Sequence, residues 1–276
     1  MKLSCSQEKL NRGLGIVGRA VATRTTLPIT NNVLLATEQS RLKLVATNLE
    51  MAISYWTDAT VEEEGTVTVP ARLLTEFVNS LPNDKIDISL TPKGKTLNLK
   101  CARFEARISG IDAKDFPPIP KVDDGITTRI EVAAFRQAIS QVAFAAATEE
   151  SRPVLTGVDA QFDNGVLTLA AADGFRLAVY KLPLAAPVSS KTEVIIPART
   201  LAELNRLIGD DDETVDVTVN STKGQILFKL KDIELVSQLI QGSFPQYGQL
   251  IPTSPTTRVE LDVAEFLRAT KTAAIF

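Results

Sequence analysis

The 276-residue sequence predicts an α+β fold built from tandem copies of one domain, each with two helices on one side and antiparallel sheets on the other. Three observations predict it. The stretch Val69-Pro70-Ala71-Arg72-Leu73-Leu74 recurs as Ile196-Pro197-Ala198-Arg199-Thr200-Leu201. Around each copy, short alternating runs bounded by turn residues read as strands, and apolar residues spaced by three and four read as helices. A later stretch, Thr127-Thr128-Arg129-Ile130-Glu131, recurs as Thr256-Thr257-Arg258-Val259-Glu260. Repetition on this scale marks a copied structural unit.

Taken in order, residues 2–5 alternate as a short strand, and a helix follows with Leu10, Leu14, Val17 and Val21 on one face. Residues 33–35, 42–46 and 51–56 read as three strands, and 67–69 starts a fourth. That strand runs into a helix over 70–81. Proline suits its first position, where the missing N–H is not needed, and Leu74, Phe77 and Leu81 share a face. Strands near 86–90, 96–101 and 104–108 complete a first domain, 1–122. This domain is itself doubled, as strand, helix, three strands, twice over, which implies a pseudo-twofold. The proline-flanked, polar segment 120–125 reads as a linker.

The second domain, 127–253, repeats the order. Phe135, Ile139, Val142 and Ala146 reproduce the first helical stripe, and Leu201, Leu204 and Ile208 the second. The same register aligns Pro28 with Pro153, Val33 with Val158 and Asn48 with Asp173. Asp163-Asn164-Gly165 and Lys223-Gly224 are hairpin turn signals, and 215–219, 226–230 and 233–239 supply the last strands. Phe116-Pro117-Pro118-Ile119-Pro120 closes the first copy, and Phe244-Pro245-Gln246-Tyr247 stands in the matching place. Residues 256–276 are expected to be the first strand and helix of a third domain, severed before they can bury a core.

The bulk numbers narrow the function. Hydrophobic residues make up 44%, enough for real cores, and the net charge is −3, so attraction to nucleic acid would have to be local. The absence of histidine removes the commonest general base and the commonest zinc ligand. The acidic run at 210–213 reads as a solvated turn, so no catalytic residue, metal or cofactor is expected. Cys5 and Cys101 match no metal spacing and read as buried thiols, which suits a reducing cytosol. No signal-peptide pattern and no apolar run long enough for a membrane span is present. A soluble, cytoplasmic protein is expected.

The exposed faces of the helices collect Lys9, Arg12, Arg19, Arg24 and Arg72 from the first copy, then Arg136, Arg199 and Arg206 from the second, with Arg152 in a following loop. Acidic residues cluster elsewhere, at 62–64, 123–124 and 210–213. A basic lining in an acidic body suits sequence-independent contact with phosphates. No aromatic residues interleave with these cations, which disfavours a stacking platform for single strands.

A further series of residues runs in collinear order: Met1-Lys2-Leu3, Arg24-Thr25-Thr26-Leu27-Pro28-Ile29, Thr47-Asn48-Leu49-Glu50-Met51, the paired Pro-Ala-Arg stretches, Asp115-Phe116-Pro117, Ala172-Asp173-Gly174-Phe175-Arg176-Leu177-Ala178 and Phe244-Pro245-Gln246-Tyr247. Through these, and over its whole length, the chain resembles the beta subunit of bacterial DNA polymerase III, the sliding clamp. The resemblance implies DNA-clamp domains, three to a subunit, and a head-to-tail homodimer ring around duplex DNA with helices lining the hole. It implies a non-catalytic processivity factor that tethers the replicative polymerase, is opened by a clamp loader, and docks other proteins carrying a clamp-binding motif. It places DNA contacts at Arg24, Arg152 and Arg199, with Arg72 in addition. It places a peptide pocket between domains two and three at Leu155, Ala172, Gly174, Phe175, Arg176, Leu177, Pro245, Gln249 and Leu250. Ala172 and Gln249 depart from the threonine and arginine frequent in the family. Subunit contacts fall on Phe104, Ile275 and Phe276. With its third domain severed, this chain is not expected to close a stable ring. Two other readings stand beside this one: a two-domain clamp closing as a trimer, and a repeat scaffold that binds peptides and never DNA.

Overall fold

Alternating runs form strands and period-3.6 runs form helices, in the same order twice. The computed structural model describes residues 1–22, 27–91, 95–149, 151–209, 211–222 and 224–276. The first copy holds β1 (Lys2–Ser6), α1 (Gln7–Val17), β2 (Asn32–Glu38), β3 (Arg41–Thr47), β4 (Met51–Asp58), β5 (Thr60–Glu63), β6 (Thr66–Pro70), α2 (Ala71–Ser80), β7 (Lys85–Leu90), β8 (Thr96–Cys101) and β9 (Phe104–Ser109). The second holds β10 (Ile126–Glu131), α3 (Val132–Val142), β11 (Gly157–Asp163), β12 (Val166–Ala172), β13 (Leu177–Pro183), β14 (Thr192–Pro197), α4 (Ala198–Leu207), β15 (Thr214–Val219), β16 (Gln225–Lys229) and β17 (Ile233–Gln238). All of these lie in one compact unit, Met1–Phe244; a second unit, Pro245–Phe276, carries α5 (Val263–Ala273).

Among the described residues three antiparallel sheets result, in the orders β5-β1-β7-β8-β9, β10-β15-β16-β17-β4-β3-β2-β6 and β13-β12-β11-β14. The two copies share one topology. The set β1-β7-β8-β9 answers to β10-β15-β16-β17, and β6-β2-β3-β4 answers to β14-β11-β12-β13. The eight-stranded sheet is a half-sheet from each copy, joined where β17 pairs with β4 from Ile233↔Tyr55 to Ser237↔Met51. A paired join of this kind leaves its two corresponding edges, β9 and β13, at the ends of the other sheets.

The registers also decide which face the helices cover. Phe228 lies opposite Leu235, and Leu235 opposite Ile53, so the three share a face with Tyr55 two residues along. Phe135 of α3 stacks at 6.2 Å on Phe228. On α1, a Cβ added to Gly13 would fall 2.7 Å from Leu44 Cδ1 and 2.8 Å from the Tyr55 ring. Helices α1 and α3 therefore press on the same face. Helix α2 packs beside α1 and α4 beside α3, so all four form one layer.

Several expectations need correction. Helix α1 ends at Val17, and Val21 lies beyond a 3-10 turn, half-buried. Leu81 and Ile208 are buried, but as residues just past the ends of α2 and α4. The stripe on α2 is completed by Val78, while Phe77 is half-buried. Strand β5 was not expected, because its acidic residues suppress the alternation; it forms by extending the chain beyond β4 along the open edge of β1. The segment 120–125 is no loose linker: Val122 is buried and Asp124 accepts a hydrogen bond from Ser221. Residues 256–260 form no strand, since a strand needs a ladder partner and the second unit contains no other strand. Within that unit α5 forms, capped by Asp262, which accepts from the Glu265 N–H at 2.9 Å, and none of its residues is buried. The Lys223 turn and Asp210 lie outside the described residues.

Both cysteines are buried and free. They stand opposite the same residue, Ile86, from strands on either side of it. Two strand spacings of about 4.8 Å put their Cα atoms about 10 Å apart, beyond disulfide reach. Burial pushes the Cys5 thiol up to about 12 and raises Cys101 too.

Candidate nucleic-acid interface and docking loop

Arg72 and Arg199 occupy the second position of α2 and α4, and both are exposed on the helix layer. Each helix starts from a proline that offers no side-chain cap. The first-turn N–H groups are thus left with their partial positive charge next to an arginine, an arrangement that accepts an anion such as phosphate. The helices of the two copies meet within the layer, where Arg19 Nη1 donates to Glu203 Oε2 at 3.3 Å.

The basic lining is partly neutralised by carboxylates, two of which, Glu76 and Glu203, hold matching places in the repeat beside the arginines. Arg72 Nε pairs with Glu76 at 2.7 Å, which raises its affinity for its proton. Glu203 takes both Arg19 and Arg206, the latter at 2.6 Å, and Lys9 pairs with Asp58 at 2.8 Å. Among the described residues, Arg12 and Arg199 are exposed with no carboxylate in ion-pair range. Exposed pairs are weak, so the bound arginines are available for exchange onto a stronger anion. Arg24 lies outside the described residues.

Arg152 sits elsewhere, against the loop between β12 and β13. Its Nη2 donates to the Asp173 carbonyl at 3.2 Å, and its guanidinium covers Gly174. The loop is built by Asp173. One carboxylate oxygen accepts the backbone N–H groups of Phe175 and Arg176 at 2.9 and 3.0 Å, and the other accepts Arg176 Nε at 2.9 Å. These backbone bonds, chiefly the one from Phe175, hold the Asp173 carboxyl below the usual range. Gly174 turns at φ +97, where a side chain would be strained. Ala172 and Leu177 pair across the base of the hairpin and are half-buried.

The loop therefore gathers Ala172, Gly174, Phe175, Arg176 and Leu177, with Arg152 and the buried Leu155 close behind: the Leu155 carbonyl accepts the Ala147 N–H at 2.8 Å. A hollow of about 160 Å³ opens between Ala147, Thr148, Arg152, Asp173 and Phe175. Phe175 lines its mouth and is 98% exposed. Phe144 was missed by the sequence reading. It follows α3, is exposed, and carries the Arg176 guanidinium 5.5 Å from its ring; an aromatic residue midway between Val142 and Ala146, off their stripe, was the available signal.

Phe104 starts the edge strand β9, is 40% exposed, and lies 5.4 Å from the Arg103 guanidinium. Pro245, Gln249 and Leu250 belong to the second unit, the last two in a 3-10 turn, and all three are exposed. Ile275 and Phe276, just past α5, are exposed as well. No helix among the described residues is long and apolar enough to cross a membrane.

Residues 1–120 match a family model described as the DNA polymerase III beta subunit, N-terminal domain, and residues 129–246 match its central domain. The beta sliding clamp of Synechocystis sp. is 35% identical over 284 residues, which cover 95% of this chain and 72% of that protein. The beta sliding clamp of Synechococcus elongatus is 34% identical over 278 residues, covering 100% and 74%. The crystal structure of the DNA polymerase sliding clamp from Bacillus subtilis superposes with a TM-score of 0.94 at 28% identity, over 99% of this chain and 73% of that one.

Proposed function

The chain belongs to the DNA polymerase III beta-subunit family, the beta sliding clamps, and we propose that it forms part of a ring that encircles duplex DNA and holds the replicative polymerase on it. It confers processivity and catalyses no reaction. One observation carries this reading: the edge-to-edge join of β17 with β4 inside the chain is a head-to-tail contact, and the matching edges β9 and β13 stand at the ends of the other sheets. Head-to-tail contacts repeated through a fixed rotation close a ring. The helix layer then faces the hole, with Arg199 and Arg72 toward the phosphates; Arg24, outside the described residues, is a further DNA contact on the family resemblance alone. Phosphate contact without base reading lets such a ring slide.

The hairpin loop at Asp173–Gly174 serves as the dock for short peptides of the polymerase, the clamp loader and repair proteins. Leu155, Ala172 and Leu177 belong to its apolar side, and Arg152 braces the loop rather than the DNA. Phe104, Ile275 and Phe276 belong to subunit contacts of a homodimer. Two domain-like copies, 1–122 and 127–253, and the start of a third at 256–276 account for the repeats. A cytoplasmic location follows from the DNA that the ring holds.

The test is topological. The full-length protein, loaded on nicked circular duplex, should stay bound through gel filtration and fall off once the circle is cut. Equal retention on both forms would refute encirclement and favour a scaffold. Arg199→Glu should lower the salt slope of DNA binding by about one phosphate contact, and Arg152→Glu should leave it unchanged while weakening peptide docking. A trimer mass for the closed species would replace the dimer with the two-domain form.

A further inference from the structure

The first copy carries its own version of the Asp173 loop, at its junction with the second. Asn48 Oδ1 accepts the Glu50 and Met51 N–H groups at 3.1 and 2.9 Å, as Asp173 does for Phe175 and Arg176. Leu49 takes the place of Gly174, and its φ is +77. Glycine or asparagine adopts that backbone readily, and leucine does not. The side chain is also 52% exposed, so core burial does not account for the residue. Strain of this kind, held on an exposed apolar side chain, marks a surface that does something other than stabilise the fold.

Leu49 faces a hollow of about 270 Å³, walled by Met51, Pro117, Pro118, Ile119 and Val236. This is smaller than the roughly 300–1,000 Å³ of sites that enclose a whole small ligand. It suits one anchoring side chain of a longer segment. The floor is fixed: the Gln238 N–H of β17 donates to the Glu50 carbonyl at 2.8 Å, tying the loop to the second copy. The ionisable lining is a single carboxylate, Glu50, and no described lysine or arginine shares it. The prolines offer rigid apolar walls without backbone donors.

We propose that this junction hollow is a second docking site, for an extended peptide of another protein that presents an aliphatic anchor next to a lysine or arginine. The anchor lies against Leu49, Pro117 and Pro118, and the cation meets Glu50. Apolar anchors give the affinity, and the charge sets the register. The site is distinct from the Asp173 loop and needs no DNA, so its failure would leave the ring reading intact.

The probe is a fluorescein-labelled octapeptide with two central leucines flanked by lysines, read by anisotropy on the whole chain. Saturable binding is expected, and a serine-for-leucine peptide should not bind. Leu49→Asn should weaken binding about tenfold or more while leaving the thermal midpoint unchanged or higher, since asparagine accepts the left-handed backbone. Glu50→Lys should weaken the lysine peptide and favour its glutamate counterpart. The proposal is overturned if the probe does not bind. It is also overturned if Leu49→Asn lowers the midpoint with binding intact, or if Leu177→Ser abolishes binding and Leu49→Asn does not. Self-association that Leu49→Asn removes would assign the hollow to a second copy and overturn it too.

Discussion

Two alanine substitutions about 3 Å apart along one helix, by the 1.5 Å rise per residue, should have opposite signs. Gly13 and Gly15 both lie in α1. Alanine in place of glycine in a helix gains about 0.8–1.0 kcal/mol of propensity. At Gly15 nothing lies within 4 Å of the new methyl, so the gain should stand alone. At Gly13 the methyl would sit 2.7 Å from Leu44 Cδ1 and 2.8 Å from the Tyr55 ring, well inside the roughly 3.5–4.0 Å of comfortable carbon contact. Leu44 is 0% and Tyr55 8% exposed, so neither side chain has room to retreat. Overpacking of this kind costs about 1–3 kcal/mol, leaving a net loss of about 1 kcal/mol after the propensity gain. The two variants should differ by about 2 kcal/mol in urea-unfolding free energy, or by roughly 4–8 °C in midpoint for a chain of this size. Equal stabilisation by both would show that α1 is not clamped on β3 and β4. The helix layer and its cations would then not be held where the interface requires.

Other outcomes follow from single features. Cys5 and Cys101 should resist a thiol reagent in the native state and react together on unfolding; rapid native labelling of either would contradict their burial. Asp159, on β11, is buried with one oxygen unpartnered among the described residues, and burial pushes its carboxyl up to about 6. The native state then binds that proton more tightly than the unfolded chain does, so stability should fall as pH rises from about 4 to about 6. Asp159→Asn should flatten that part of the stability–pH curve, and an unchanged curve would remove Asp159 as its source. Gly174→Ala should cost about 1–2 kcal/mol through its φ alone, since the atom it approaches is the movable tip of Arg152, 3.2 Å away. A neutral result in thermal unfolding would mean that the loop relaxes to another turn.

The helices, most strands and the correspondence of Asn48 with Asp173 were legible because their signals are local. A stripe at three and four, a proline before an arginine, or an Asn-Leu-Glu against an Asp-Gly-Phe each act within a few residues. Arg199 could be picked from the repeat for the same reason. Local signals put Glu76 on the face of Arg72 at i,i+4, but did not show that the two pair. Nor did they show that Arg152 turns to the Asp173 loop.

The sequence alone determined the duplication, both helices of each copy and most of its strands, since period and turn chemistry are written along the chain. Tertiary structure decided the rest. It merged two half-sheets through β17 and β4, seated Arg19 on Glu203 across 184 positions, and left β9 and β13 as edges. Residues 256–260 stayed out of any strand despite repeating residues 127–131, which form one. The physical reason is common to all of these: ladders and ion pairs need a partner brought from far along the chain, and a single segment cannot encode its partner.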